Sequence, residues 1–285
     1  MRRIGYTSLA FAASIVLGLA ASNVATALDG RDCVPPVFTP AGTGAVLDLR
    51  TFNDCPTSVL TTLNNYPALI SIKDDVLDCY GWANLHTWSF SDDGVSRAIF
   101  ENCSHYRYSC SFVLEGPTNS EGGLRVSPWW NTWWGGSPVD GRFMVNAASG
   151  EIACFGGRLP FYSFTGTYGL RYVKGTWIWM EIAYNPHSLT AADPATITYT
   201  LNYGGVTYTS GQLAFDQGSA GEDPPHGLWG ELWPATVGGY FQVNMIPGDP
   251  TAWGRAQWAN IQYWSDEQAT PARATTWGRL KTLYR

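Results

Sequence analysis

The sequence predicts an all-β protein, an antiparallel two-sheet β-sandwich preceded by a short irregular N-terminal extension. Short stretches of alternating apolar and polar residues recur from residue 81 to residue 264, separated by turn-forming residues. The chain contains 31 Gly and 17 Pro, and no long segment has the apolar spacing of a helix. Parallel strands would need helical crossovers, so we expect antiparallel strands.

The clearest strands lie between residues 176 and 210. Two sets of side chains alternate in the first strand: Trp177, Trp179, Glu181 and Ala183 on one face, and Ile178, Met180, Ile182 and Tyr184 on the other. Residues 195–201 alternate in the same way, and a turn at residues 202–205 leads into a return strand at 206–210. Each strand therefore has one apolar face for a core and one face of Trp, Glu or Thr.

The other elements follow from the same two-residue period, taken in chain order. Near the N-terminus, residues 47–52 and 68–72 are candidate strands around a short candidate helix at 56–63. Further strands are expected at 85–90, 96–100, 110–115, 123–127, 141–146, 151–155, 168–173, 240–246 and 258–264. Many short strands with Gly-containing turns are typical of sandwiches and jelly rolls.

We expect four segments along the chain. These are a signal peptide at 1–27, an N-terminal extension packed on the main domain at 28–78, the β-sandwich at 79–268 and a C-terminal tail at 269–285. The extension is too short for a separate domain.

The first 27 residues predict export from the cell. Arg2 and Arg3 precede an apolar run at residues 9–21, and small residues end the segment at Ala27. A membrane anchor is the alternative, but the run is short for a bilayer span. We therefore expect cleavage after Ala27, a secreted (extracellular or periplasmic) protein, and no membrane span in the mature chain.

Composition excludes one class of partner. The formal net charge is −6, whereas nucleic-acid phosphates require a basic surface. The 14 Trp and 15 Tyr stand out, because aromatic residues at this density fill a large core or line a binding surface.

Six cysteines in an exported chain predict disulfides. Six cysteines allow 15 pairings, among which the sequence alone does not choose. Our working pairs are Cys33–Cys55, Cys79–Cys154 and Cys103–Cys110, the last because its short spacing suits a hairpin. No Cys-x-x-Cys motif is present, so we expect no zinc site and no cofactor.

Residues 175–185 and 195–210 resemble the central hairpin of concanavalin A-like domains. The laminin-G-like branch of that family has there a Trp-x-hydrophobic-x-hydrophobic-x-Tyr strand, a second strand, an Asn-Gly-type turn and a return strand. Residues 238–245 and 259–263 lie where this pattern has its last two strands, so the resemblance covers residues 80–268 as an order of elements. It implies two curved antiparallel sheets, with ligands on the concave face or at the loop rim. The family includes lectins, carbohydrate-binding modules, polysaccharide hydrolases and lyases, and protein-binding domains, so the resemblance does not choose a function.

Two catalytic motifs of that family are missing from this sequence. The Glu-x-Asp-x-x-Glu run of its retaining glucanases is absent. The Arg-x-Glu-x-Arg and Gln-x-His motifs of one alginate-lyase branch are absent too, although residues 240–242 are loosely similar to the last conserved strand of that branch.

Alternation predicts a polar and aromatic surface that suits sugars. Indole faces pack against sugar C–H groups, and amide, hydroxyl and guanidinium groups bond to sugar hydroxyls. The predicted carbohydrate-binding residues are Trp129, Trp130, Trp133, Trp134, Trp177, Trp179, Gln242, Asn244, Trp258 and Asn260. If the strands carrying them are neighbours, they form one wall. Trp177 and Trp179 under covering loops, as a second small core, are the alternative.

Three residues are candidates for catalysis. Glu181 could act as a general acid with a pKa raised by apolar neighbours, or pair with an arginine. Tyr240 could act together with Arg125.

Asp92, Asp93 and Asp140 fit hairpin turns first and a calcium site second.

The sequence therefore favours a secreted, lectin-like protein that binds a polysaccharide or glycan through an aromatic-lined concave face. One alternative is a polysaccharide hydrolase or lyase of the same fold. The other is a non-catalytic structural or adhesive surface protein whose Trp-rich loop meets another protein.

Overall fold

The computed structural model describes residues 44–76, 79, 81–99, 104–127, 141–156, 159–215, 230, 236–245 and 252–266. Within these residues the elements are β1 Gly44–Asn53, β2 Val59–Asn65, β3 Leu69–Asp75, β4 Gly81–Ser91, β5 His105–Glu115, β6 Glu121–Ser127, β7 Gly141–Asn146, β8 Ile152–Phe155, β9 Tyr162–Ser163, α1 Phe164–Tyr168, β10 Ile178–Asn185, β11 Thr196–Tyr203, β12 Val206–Ala214, β13 Thr236–Met245 and β14 Trp253–Asp266. No helix in this part of the chain is long and apolar enough to cross a bilayer.

The described strands form two antiparallel sheets of seven strands each. Sheet A has the order β1-β4-β13-β6-β7-β8-β9, and sheet B has the order β12-β11-β10-β5-β14-β3-β2. The predicted fold class, an antiparallel two-sheet sandwich, is confirmed. In both sheets, strands distant in sequence lie side by side, as β13 does between β4 and β6.

The core lies between the two sheets and is rich in aromatic side chains. β10 alternates buried and half-buried residues along its whole length, with Ile178, Met180 and Ile182 facing inward as predicted. Trp88 and Trp258 meet edge-on in the core at a centroid distance of 6.2 Å. Gly239 lies beside both indoles, and a Cβ there would overlap them. Each large apolar side chain buried in this way stabilises the fold by about 1.5–3 kcal/mol.

A buried polar bridge joins the sheets near β1 and β3. The backbone N–H of Arg50 donates to Nδ1 of His86, 3.1 Å away, so the ring proton lies on Nε2. Nε2 then donates to Asp74 of sheet B at 2.9 Å, and Asn84 donates to the same carboxylate oxygen at 2.6 Å. The bridge gives hydrogen-bond partners to the His86 ring and to Oδ2 of Asp74, groups that would be costly to bury alone.

The N-terminal segment differs from the predicted extension. Residues 44–75 supply β1 to sheet A and β2 and β3 to sheet B, and β1 and β3 pair with β4 and β14. The candidate helix at 56–63 is wrong, because β2 forms an edge strand there. The alternating apolar residues of β3 complete the sandwich core, which is why these strands are integral to it.

The predicted disulfides are wrong. Cys55 bonds to Cys79, which excludes both Cys33–Cys55 and Cys79–Cys154. Cys110 and Cys154 are free thiols buried in the core, which also excludes Cys103–Cys110. The reason is strand direction: β5 and β8 point these two side chains inward, where burial raises the pKa of each thiol.

Candidate functional site

The predicted binding wall is divided between opposite faces of the sandwich. Arg125, Tyr240 and Gln242 lie on the outer face of sheet A, on β6 and β13. Trp179 and Glu181 lie on the outer face of sheet B, where Trp177 immediately precedes β10 and is 47% exposed. The sequence therefore predicted the outward side of β6, β10 and β13, but these strands do not share one wall.

Trp258 corrects the prediction most clearly. It is fully buried between the sheets, and its indole N–H donates to the carbonyl of Gly123 at 3.0 Å. A β-bulge between Ala259 and Gln262 breaks the two-residue period of β14. Asn260 lies in the bulge with φ of +52°, is exposed, and donates its N–H to the carbonyl of Ala68. Side chains before the bulge therefore lie on the opposite face of the sheet from the one that an unbroken two-residue period predicts.

Some predicted residues are beyond what the structure describes. Trp129, Trp130, Trp133, Trp134 and Asp140 lie outside the described residues, as do the predicted signal peptide and C-terminal tail. Asn244 pairs with Trp82 along β13, and its side chain also lies outside the description.

A cluster of polar side chains occupies the outer face of sheet A. We call Glu121, Arg125, Arg142, Tyr240 and Gln242 the arginine cluster. Arg125 and Arg142 are cross-strand partners on β6 and β7. Tyr240 and Gln242 follow on β13, and Gln242 pairs with Glu121. Residues two apart on neighbouring strands project to the same side, so the sheet itself brings these five groups together.

Arg142 is the centre of the arginine cluster. Its Nη1 donates to Glu121 Oε1 at 2.7 Å and to Gln242 Oε1 at 3.2 Å. Its guanidinium lies over the Tyr240 ring, 4.7 Å from the ring centroid. Among the described groups, the buried Nε of Arg142 has no hydrogen-bond partner. One donor of this guanidinium is thus left for a further acceptor.

The side chains of the arginine cluster are largely buried from solvent. Arg125 and Arg142 are almost fully buried and Tyr240 is 0% exposed, while Gln242 retains partial exposure. Burial raises the pKa of Glu121 above its ordinary value, although the neighbouring Arg142 acts in the opposite direction. Arg125 donates through Nη2 to Ser89 Oγ at 2.5 Å. Charge interactions in such a site are stronger than in open solvent.

An apolar patch adjoins the arginine cluster on the same face. Tyr240 packs there with three buried side chains and the half-buried Phe155; the three are Leu85, Met144 and Ala153. The outer face of sheet A thus combines cationic, amide and phenol groups with an apolar wall, a combination that can bind both the charged and the C–H surfaces of a sugar.

On the opposite sheet, Glu181 lies in an open pocket on the outer face. Burial raises the pKa of Glu181, and the charge of Arg107 opposes the rise. Among the described lining residues, Glu181 is the one carboxylate. Most glycoside hydrolases place a pair of carboxyl groups across the scissile bond, and this lining supplies one member of such a pair.

Of the three aspartates proposed as calcium ligands, Asp93 stabilises the loop that follows β4. Asp93 accepts hydrogen bonds from the backbone N–H groups of Ser96 and Val95 and from the Ser91 hydroxyl. These hydrogen bonds lower the pKa of Asp93, and the largest contribution comes from the backbone N–H of Ser96. No group of three or more His, Cys, Asp or Glu that could hold a metal occurs in the described part of the chain.

Sequence reasoning missed Arg142, Glu121 and Arg107 as site residues. The signal for Arg142 was present, because it alternates with the core residues Phe143 and Val145 and so must face outward. Arg107 likewise lies between the inward-facing Tyr106 and Tyr108. What was missing was the strand order that makes these residues neighbours of the others.

Comparison with known proteins yields likeness in structure only. No family model matches the sequence, and no curated protein matches it. Alginate lyase AlgAT5 from polysaccharide lyase family 7 is 11% identical, with 77% of this chain and 94% of that chain covered and a TM-score of 0.40. For alginate lyase A1-II', of the same family, the identity is 9%, the coverage 79% and 95%, and the TM-score 0.42. Basic winged bean lectin is 10% identical, with 75% of this chain and 98% of that chain covered and a TM-score of 0.37. Likeness at this level assigns no activity.

Proposed function

We propose that this is a secreted carbohydrate-active protein whose arginine cluster binds an acidic polysaccharide and cleaves it by β-elimination. The observation that carries the proposal is the placement of Arg142. Its guanidinium contacts the Gln242 amide and the Tyr240 ring, and it has a buried N–H group without a partner among the described groups. Guanidinium and amide groups arranged in this way suit a uronate carboxylate.

Each group of the cluster has a chemical task in this reaction. Arg125, Arg142 and the Gln242 amide would hold the uronate carboxylate and stabilise negative charge that develops on it when the neighbouring C5–H is broken. Tyr240, as phenolate, would take the C5 proton; the electron pair then forms the C4=C5 bond, and the C4–O bond breaks. The resulting phenol would return a proton to the leaving oxygen. Atoms and charge balance without a metal or another reactant.

The proposed location outside the cell rests on the N-terminal residues. A basic start, a short apolar run and small residues before Leu28 are the pattern of a cleaved export signal. Extracellular or periplasmic polysaccharide would then be within reach of the protein.

The test is an elimination assay on three polyuronates, namely alginate, polygalacturonate and β-1,4-glucuronan. Wild-type protein should produce the ultraviolet absorbance of an unsaturated uronate with at least one of them. Tyr240→Phe should lower the rate by about 100-fold or more, because it removes the proton-transfer group and leaves the arginines in place. Tyr168→Phe is the matched control, since this hydroxyl lies away from the cluster and donates to the Thr209 carbonyl. Equal rates for Tyr240→Phe and wild type would reject the role of Tyr240.

Binding without cleavage is the second candidate, and one observation favours it. The Tyr240 side chain is 0% exposed, so its phenol is enclosed rather than open to a polymer. Retention of the protein on a polyuronate affinity gel, with no new ultraviolet absorbance, would select this function over the lyase.

A further inference from the structure

The pocket on the outer face of sheet B has a regular architecture. Its volume is about 530 Å³, large enough for a ligand of a few sugar rings. Glu181, Ser109 and Gln262 form one cross-strand row over β10, β5 and β14, and Arg107 pairs with Trp264 in the next row. The floor is therefore sheet, and rigid elements hold side chains more exactly than loops do.

The β2–β3 turn supplies one wall of this pocket. Tyr66 and Pro67 line it from that turn. The N–H of Ile261 donates to the carbonyl of Pro67 at 2.9 Å, so the turn is fastened to the bulge of β14. Burial raises the pKa of Tyr66 to about 12, so its hydroxyl stays protonated even in alkaline solution.

Three polar side chains of the pocket have no hydrogen-bond partner in the described part of the chain. Among the described residues, the side chains of Arg107, Glu181 and Gln262 form no hydrogen bond and no ion pair with other protein groups. The Arg107 guanidinium lies over the Trp264 ring at 5.0 Å, and Trp264 remains 39% exposed. A carboxylate, a guanidinium, an amide and a partly exposed indole thus face one space, and the indole also packs against the guanidinium and the His105 ring.

We propose that this pocket is a second carbohydrate site, one that binds a neutral sugar unit and is independent of the arginine cluster. Vicinal hydroxyls of a sugar can donate to Glu181 and accept from Arg107 and Gln262, and the C–H surface can pack on Trp264. One negative and one positive side chain line the pocket, so it has no net charge that would select a uronate over a neutral sugar. The site therefore differs in ligand class from the outer face of sheet A.

The experiment is calorimetric titration of the full mature chain with β-1,4-linked hexaoses of glucose, mannose and xylose, and with hexagalacturonate as the acidic comparison. At least one neutral hexaose should bind saturably. Glu181→Gln and Trp264→Ala should each weaken that binding about tenfold or more, in line with the loss of a central aromatic or charged contact. Trp264→Phe and circular dichroism of each variant separate lost binding from lost folding.

Two control variants separate this site from the proposed function. Trp177→Ala removes an exposed indole outside the pocket lining and should leave neutral-hexaose binding unchanged. Arg142→Met combined with Glu121→Gln alters the arginine cluster and should also leave it unchanged. The inference is overturned if none of the three neutral hexaoses binds, if Trp264→Ala binds as well as wild type, or if hexagalacturonate is the preferred ligand of the pocket.

Discussion

Glu121 and Arg142 lie side by side with little water around them, so protonation of Glu121 is linked to folding. Its pKa is raised above the ordinary value of 4.5 by burial, against the opposing charge of Arg142. Between the ordinary and the raised pKa, the folded state binds more protons than the unfolded state. The free energy of unfolding therefore falls as pH rises through this window.

Glu121→Gln removes this titration and gives a measurable prediction. We expect the free energy of unfolding of wild type, minus that of the variant, to decline with rising pH through the raised pKa and then to level off. Urea denaturation of both proteins, from about pH 4 to about pH 8, measures the difference. A difference that grows with pH would mean that attraction to Arg142 outweighs burial.

For single residues, the sequence predicted correctly whether most side chains point into the core or outward. It did not predict which side chains from different strands lie next to each other. Glu181 was placed outward by alternation, as found, and its raised pKa agrees with the expectation from apolar neighbours. The expected arginine partner is Arg107, which opposes the shift but forms no ion pair with Glu181 among the described contacts. The distance between two side chains on different strands depends on register, which local sequence does not encode.

At the scale of elements, the bulge in β14 decides which face the strand presents. Before it, Trp258 packs in the core; after it, Trp264 faces the pocket. The bulge residue Asn260 has a positive φ, a region that Gly and Asn adopt more readily than other residues.

Substitution at Asn260 tests this role of the bulge. Asn260→Val should lower the free energy of unfolding by about 1–2 kcal/mol, because a β-branched side chain is strained at positive φ. Asn260→Gly should be close to neutral. Gln257→Val, on the regular part of β14, is the control and should cost less than Asn260→Val. Urea denaturation measures all three, and equal effects for the two valine variants would contradict the assignment.

The bulge also explains why one predicted binding residue was wrong. Nothing in the segment 253–266 other than Asn260 signals an extra residue, and Asn is common in regular turns as well. The disulfide pairings failed for a related reason. Cys55 and Cys79 are 24 residues apart in sequence, and their proximity depends on how β1 and β4 pair.

For the whole molecule, composition and the two-residue alternation of the strands predicted the sandwich. The order of strands in each sheet determines which candidate site residues lie together. Alternating strands need two sheets to bury their apolar faces, and this requirement is visible in the sequence. The insertion of β13 between β4 and β6, and of β14 between β5 and β3, is not. It separates Tyr240 and Glu181 onto opposite outer faces, so one predicted wall becomes two surfaces of different chemistry.

We propose that the outer face of sheet A recognises an acidic polysaccharide through Arg142. The most direct measurement is the affinity of hexauronates for wild type and for Arg142→Met combined with Glu121→Gln, which leaves no charge buried without its partner. We expect hexauronate binding by wild type and a loss of about tenfold or more in the double variant, with neutral-hexaose binding retained. Equal hexauronate affinity in the two folded proteins, or none in wild type, would contradict the claim.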